Sequence, residues 1–342
     1  MRVIFDTTFA QRAPRSGTGI YIRRVCEALR SEPAVELIEA ANSRRRPPAG
    51  GGLGSVRNLA ADQWWSAVAL PRLARRHRAD LVHHPLPALA RSAVGVVTVT
   101  DLAFERFPAH FDRGYRTYAH LVHRAAARAA AQVICISRST AEDVTRLWGV
   151  PAERITVALL GPGQQLPSAG ERSGPPSHLL YVGDAEPRKN LGVLLEAYAR
   201  YRASTARPLP LVLAGSASVL ADGVRIVRGP DERALAELYR GAAALVHPAL
   251  HEGFGLTPLE AMRLGTPVIA AASPAVVEVC GDAARYCAAD DGEAFAAAIA
   301  ELARDPSARA VLRERGIARA ANFSWAKCAR AHLDAYSCAL RL

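Results

Sequence analysis

Short apolar runs alternate with helix-spaced apolar positions along most of the chain. Val3 to Phe5 is followed by Ile22, Val25, Cys26 and Leu29 at i, i+3, i+4 and i+7; then come Leu81 to His84, Val96 to Val99, Val133 to Ile136 and Ile155 to Leu159. Runs of this length read as buried strands and the wider spacing as helices with one covered face, so their alternation predicts a parallel α/β sheet. The pattern stops at Gly161-Pro162-Gly163. Residues 164–177 hold Pro167, Gly170, Gly174, Pro175 and Pro176 with scarcely an apolar side chain, which predicts a linker. Alternation then resumes with Leu179 to Val182, Leu211 to Ala214, Val224 to Val227, Ala244 to Val246 and Val268 to Ala270.

At about 150 residues per domain, 342 residues fit two domains, here 1–163 and 178–324 on either side of the linker at 164–177. Parallel α/β domains bind ligands where strand ends meet helix N-termini, and a cleft between the two is the expected site. No apolar run approaches the roughly 20 residues of a membrane span, and the chain runs from Met1 and Arg2 straight into a strand, so neither a secreted nor a membrane-integral protein is expected. The six cysteines form no C-x-x-C pair and sit mostly among apolar neighbours, which reads as buried free thiols in a reducing cytoplasm. Forty-three basic against 32 acidic residues give a net charge of +11, favouring anionic partners. Only Lys189 and Lys327 are lysines, so a general arginine bias accounts for the excess equally well.

Three loops carry chemistry. After the first strand of the second domain comes Gly183-Asp184-Ala185-Glu186-Pro187-Arg188-Lys189-Asn190, then Leu191, Leu194, Leu195 and Tyr198 at helical spacing. Asn190 is an expected N-cap, which puts Arg188 and Lys189 just ahead of a helix N-terminus. Cations are unfavourable there unless an anion lies between them and the exposed amides; the plain alternative is a solvated charged loop. The second loop is His247-Pro248-Ala249-Leu250-His251-Glu252-Gly253-Phe254-Gly255-Leu256-Thr257-Pro258-Leu259-Glu260. Thr257, Pro258 and Glu260 fit a capping box, which leaves Glu260 open to a purely structural role. Gly253 and Gly255 let amides approach a ligand, and Glu252 beside them suits a polyol hydroxyl. In the first domain, Ser16-Gly17-Thr18-Gly19 lies between strand and helix. The third glycine of a dinucleotide fingerprint would fall at Ile22, which argues against a nicotinamide dehydrogenase.

These residues resemble the retaining glycosyltransferases of family four, which have the GT-B fold: two Rossmann-like parallel-sheet domains facing a central cleft. The likeness rests on Glu252 to Glu260 (E-x7-E with internal G-F-G-L) and on Glu186-Pro187-Arg188-Lys189-Asn190-Leu191. Gly17 and Gly19, Val133-Ile134-Cys135-Ile136-Ser137, Gly265-Thr266-Pro267-Val268-Ile269 and Glu278-Val279-Cys280-Gly281-Asp282 extend it over nearly the whole chain. The resemblance implies transfer of a sugar from a nucleotide-diphosphate donor to a glycan, lipid-linked or small-molecule hydroxyl acceptor with retention of configuration, a hexosyltransferase-type reaction. It implies no bound metal and no cofactor.

By the same resemblance, Arg188 and Lys189 hold the donor diphosphate and Glu260 the ribose hydroxyls. Glu252 and the amides of Gly253, Phe254 and Gly255, followed by Leu256 and Thr257, hold the donor sugar, while Gly17 and Gly19 close over the phosphates from the opposite domain. In this fold the last helix, 325–342, crosses back onto the first domain. Relatives with the Arg-Lys-Asn variant carry His-Asp where this chain has Thr100-Asp101. Threonine cannot carry a proton near neutral pH, which leaves Asp101 as a sugar or acceptor contact. Arg188 also replaces an arginine that many relatives place where Asp184 sits. His83 and His84 end a strand and are either cleft-facing or ordinary strand-end histidines.

Trp64, Trp65, Leu70 and Leu73 are interspersed with Arg72, Arg75, Arg76 and Arg78, preceded by Arg44, Arg45 and Arg46. This suits peripheral contact with an anionic membrane on its inner face and a lipid-linked acceptor; an ordinary helix with a buried tryptophan face, interrupted at Pro71, fits equally. No recognition-helix, RNP or zinc pattern supports a nucleic-acid partner. A sugar-nucleotide epimerase and a catalytically silent nucleotide-sugar-binding subunit remain alternatives.

Overall fold

A computed structural model describes residues 1–45, 53–89, 94–164, 166, 174–217 and 219–341. Arg46, Pro167, Gly170 and Leu342 of the readings above lie outside the described residues. The chain forms two units, one of Met1–Gly161 with Trp325–Leu342, the other Pro162–Ser324. Among the described residues no helix is long and apolar enough to cross a membrane.

The first unit contains strands β1 (Arg2–Asp6), β2 (Glu36–Ala40), β3 (Leu81–His84), β4 (Val94–Val99), β5 (Gln132–Cys135) and β6 (Ile155–Val157) in a sheet of order β2-β1-β3-β4-β5-β6. The second contains β7 (His178–Val182), β8 (Leu211–Ala214), β9 (Val224–Val227), β10 (Ala242–His247), β11 (Val268–Ala271) and β12 (Ala284–Cys287), ordered β12-β11-β10-β7-β8-β9. Every strand pair is parallel. The second order is that of a doubly wound dinucleotide-binding sheet, whose strand order reverses between β7 and β10. In sheets of this order ligands bind outside the carboxyl ends of the strands at that reversal. β2 and β12, absent from the sequence reading, are both edge strands with one neighbour each. Exposed charges such as Glu36, Glu39 and Arg285 break their apolar runs.

The sheets are held by buried aliphatic and aromatic side chains. Leu179, Tyr181, Leu194, Tyr198, Leu211, Val246, Ile269 and Phe295 pack in the second unit. In the first, Ile4, Leu70, Ala74 and Val82 pack together, with Trp65 against them. Trp65 is therefore half-buried against this core, and its Nε1 donates to Asp6 Oδ2 at 3.0 Å. Pro71 does not interrupt the helix as expected. Leu53–Trp64 continues through a wider turn, Trp65–Ala69, into Leu70–His77. In that turn the Leu70 amide reaches back five residues to Trp65 O, and Pro71 falls in the first turn of the segment that follows.

The last helix, Trp325–Arg341, is fastened to the first unit by a buried chain of neutral groups. His332 Nδ1 donates to Cys328 O at 2.8 Å, so its Nε2 accepts from Tyr21 Oη at 2.9 Å. Tyr21 Oη then accepts from Thr98 Oγ1, and Thr98 Oγ1 from His83 Nε2, each at 2.8 Å; Tyr336 Oη donates to His83 Nδ1 at 2.6 Å. One direction of donation satisfies all five links and fixes both histidine tautomers. His83 is thus structural, and His84 is buried as well. Five cysteines are buried and free, whereas Cys338 is exposed, which corrects its reading as a buried thiol.

Candidate active site

The site of the second unit is assembled by the loops after β7 and β10. Beyond β7 the chain makes a short turn, Pro187–Lys189, before the helix Leu191–Ala203. Asn190 stands at the N-cap position with φ 56° but does not cap through its side chain. Its Nδ2 donates instead to Pro248 O (3.2 Å) and Ala289 O (2.6 Å). With Leu250 N donating to Arg188 O at 2.9 Å, it ties the two loops together. Asparagine tolerates the left-handed backbone here better than other side chains do.

Beyond β10 the helix Leu256–Arg263 starts from Gly255 at φ 112°, and no side chain caps it. The capping box read from the sequence does not form: Thr257 lies inside the helix, and Gly255, which can adopt this backbone, takes the N-cap position. Glu260 has other partners. Its Oε1 accepts from Gln164 N at 2.9 Å and its Oε2 from Tyr239 Oη at 2.9 Å. A Cβ on Gly163 would collide with that carboxylate, so the glycine is what lets the backbone approach. Burial pushes the Glu260 carboxyl up to about 7, against the opposing effect of these two bonds.

Glu252 is the centre of the site. Its Oε1 lies 2.5 Å from Lys189 Nζ and 3.2 Å from His247 Nε2, and its Oε2 lies 3.6 Å from Arg188 Nη1. Arg188 Nε also donates to Glu186 Oε2 at 2.7 Å. Burial opposes ionisation of Glu252, but the charges of Lys189 and Arg188 outweigh it and hold the carboxyl well below the usual range. Two cations against one buried carboxylate at a sheet's switch point suit a further anion better than a metal ion.

The structure thus brings Arg188, Lys189 and Glu252 together and sets Glu260 on the helix that follows. Phe254 is buried edge-on against Phe323, with centroids 6.0 Å apart, so only its backbone can serve a ligand. Leu256 and Thr257 are half-buried in the first helical turn, behind Gly253 and Gly255. Gly17, Gly19 and Asp101 belong to the first unit. Gly17 opens the helix Gly17–Arg30, and the Gly19 amide donates to its N-cap Ser16 at 3.1 Å. A side chain on Gly19 would strike the Ala13 carbonyl, which is a packing reason for that glycine. Asp101 Oδ1 accepts from Ala103 N at 2.9 Å, and the Thr100 carbonyl accepts from Thr140 Oγ1. Sequence reasoning missed His247, Tyr239 and Gly163. His247 is separated from Glu252 by four residues of irregular loop, so no periodicity marks their meeting.

Comparison with known proteins agrees with this architecture. The glycosyltransferase family 4 model matches residues 15–161 and the glycosyl transferases group 1 model residues 167–319. The chain is 30% identical over 265 residues to O-antigen chain mannosyltransferase B of Escherichia coli, covering 70% of this chain and 69% of that one. It is 30% identical over 240 residues to D-inositol 3-phosphate glycosyltransferase 2 of Catenulispora acidiphila, covering 61% and 56%. Among solved structures, sucrose-phosphate synthase from Thermosynechococcus elongatus superposes with a TM-score of 0.77 at 20% identity over 98% of both chains. Anabaena HepE in complex with UDP and glucose superposes at 0.70 and 16%, over 98% of this chain and 99% of that one. The chain belongs to the family-four glycosyltransferases of GT-B fold.

Proposed function

We propose that the protein transfers a sugar from a nucleotide-diphosphate sugar to a hydroxyl acceptor with retention of anomeric configuration. The observation that carries this reading is the convergence of Arg188 and Lys189 on Glu252 at the ends of β7 and β10. The cations take the donor diphosphate and stabilise the charge that accumulates on it as the glycosidic C–O bond breaks. The acceptor hydroxyl attacks the same face of the sugar and gives its proton to the departing phosphate, so no protein nucleophile is needed. Glu252 accepts sugar hydroxyls beside the amides of Gly253, Phe254 and Gly255. Each oxygen of Glu260 accepts one hydrogen bond here, which leaves capacity for the ribose hydroxyls. Structures similar to this one hold UDP, or UDP with glucose, which supports a nucleotide donor.

Asp101, with Gly17 and Gly19, is assigned to the first unit's share of the substrates. An anionic membrane bearing a lipid-linked acceptor would meet the exposed Arg72, Arg75, Arg76 and Arg78, because Trp65 packs against the core and Trp64 lies 3.8 Å beneath the Arg44 guanidinium. Salt-dependent pelleting with anionic vesicles tests that part, and absence of binding at low salt removes it. The reaction is tested by donor hydrolysis and transfer with UDP-, GDP-, ADP- and dTDP-sugars, with product configuration read by NMR. A retained product supports the reading, whereas an inverted product or no turnover of any donor contradicts it.

A further inference from the structure

His247 ends β10, a central strand of the second sheet, and is 2% exposed. Its Nε2 faces Glu252 Oε1 at 3.2 Å yet is not aligned for a hydrogen bond, and it has no other partner among the described residues. Lys189, at 2.5 Å, holds the same oxygen. A buried ring nitrogen without a bond is costly, and such groups call for an explanation. In the proposed reaction Lys189 and Arg188 must serve a diphosphate, a stronger anion than one carboxylate. A second anion on the same ammonium also repels Glu252. His247 Nε2, held on a rigid strand, is then a donor within reach of the carboxylate.

We propose that His247 is a positioning residue that takes over Glu252 when the donor diphosphate draws Lys189 and Arg188 away, orienting the carboxylate toward the sugar. The inference rests on the nucleotide-sugar reading given above. Without ligand, Glu252 and Glu186 together occupy the two cations. With diphosphate bound, the Nε2–H of His247 aligns on Oε1, and the other carboxylate oxygen is released to accept a sugar hydroxyl. His247 donates from Nε2 in its neutral form, so no proton transfer is involved. The groups facing it are Glu252, Lys189 and Arg188.

The test compares wild type with His247→Phe, His247→Gln and Glu252→Gln in two measurements. One is calorimetric binding of the nucleoside diphosphate; the other is turnover of whichever UDP-, GDP-, ADP- or dTDP-sugar the wild type uses. His247→Phe is expected to leave nucleoside diphosphate affinity within about threefold and to lower kcat about 10- to 100-fold, the loss of one hydrogen bond to a charged group. His247→Gln, which retains an N–H, recovers part of that loss. Glu252→Gln binds the nucleoside diphosphate at least about threefold more tightly than wild type, because the competing carboxylate charge is gone. Should His247→Phe not fold, His247→Ala replaces it with the same expectations. The proposal is overturned by unchanged turnover in His247→Phe, by equal losses of diphosphate affinity and turnover, by no recovery in His247→Gln, or by weaker diphosphate binding in Glu252→Gln. A wild type that binds no nucleoside diphosphate overturns the functional reading itself; binding with neutral His247 variants overturns only the role of His247.

Discussion

Each unit buries a cluster of polar side chains, and the two clusters are built on opposite principles. In the first, Tyr336, His83, Thr98, Tyr21 and His332 form a chain of neutral groups in which every donor has an acceptor. In the second, Lys189, Arg188, Glu252 and His247 are mostly charged, share one carboxylate and leave a ring nitrogen without a bond among the described residues. A completed neutral network contributes stability and a unique geometry, as befits the fastening of a terminal helix. Under the proposed function, the charged, incompletely bonded one re-pairs when an anionic ligand arrives. Burial alone does not tell the two apart; the hydrogen-bond account does.

The contrast predicts different consequences for mutation. The largest effect is expected for Glu252→Ala, which should lower sugar transfer at least about 100-fold with the circular dichroism of the fold intact. Retained activity would remove Glu252 from the site. Next, Lys189→Ala should weaken nucleoside diphosphate binding about 10-fold or more, as expected for a charge-assisted bond, while thermal unfolding without ligand changes far less. In the first unit the order reverses. Tyr21→Phe breaks two links and should cost about 1–3 kcal/mol in urea unfolding, with nucleoside diphosphate affinity unchanged. A loss of affinity there would show that the neutral network also serves the ligand.

The smallest effect concerns pH. Burial lowers His332 to about 4, against the opposing bond to Cys328 O, whereas an unfolded histidine titrates near 6.5. Between these values the unfolded chain binds more protons. The contribution of neutral His332 is therefore complete above pH 6.5 and is lost as pH falls toward 4, with a slope of at most about 1.4 kcal/mol per pH unit. Denaturation midpoints measured across this window should flatten in His332→Gln, and an unaltered slope would refute the assignment.

The same division explains what was legible in the sequence. Val3 to Phe5, Leu179 to Val182 and Leu211 to Ala214 are continuous apolar runs because both faces of those strands are covered, and the family-four likeness follows from the loops behind such strands. Glu36 to Ala40 and Ala284 to Cys287 escaped because edge strands tolerate charge. Arg188, Lys189 and Glu252 stand out in the sequence by their place after strand ends. Their mutual pairing, across 63 residues of sequence, does not. The spacing of Thr257 and Glu260 suggests a capping box because spacing alone does not show that Gly255 takes the N-cap position with φ 112°. The role of Tyr21 and His83 required the last helix in place, since one of their partners lies 311 residues away.

The central claim is that the paired cations of the second unit grip a diphosphate. Calorimetric titration of the wild type with UDP, GDP, ADP and dTDP tests it most directly. At least one should bind, with an affinity that falls on Lys189→Ala and Arg188→Ala and rises on Glu252→Gln. No binding of any of the four, or binding indifferent to all three substitutions, would contradict the account.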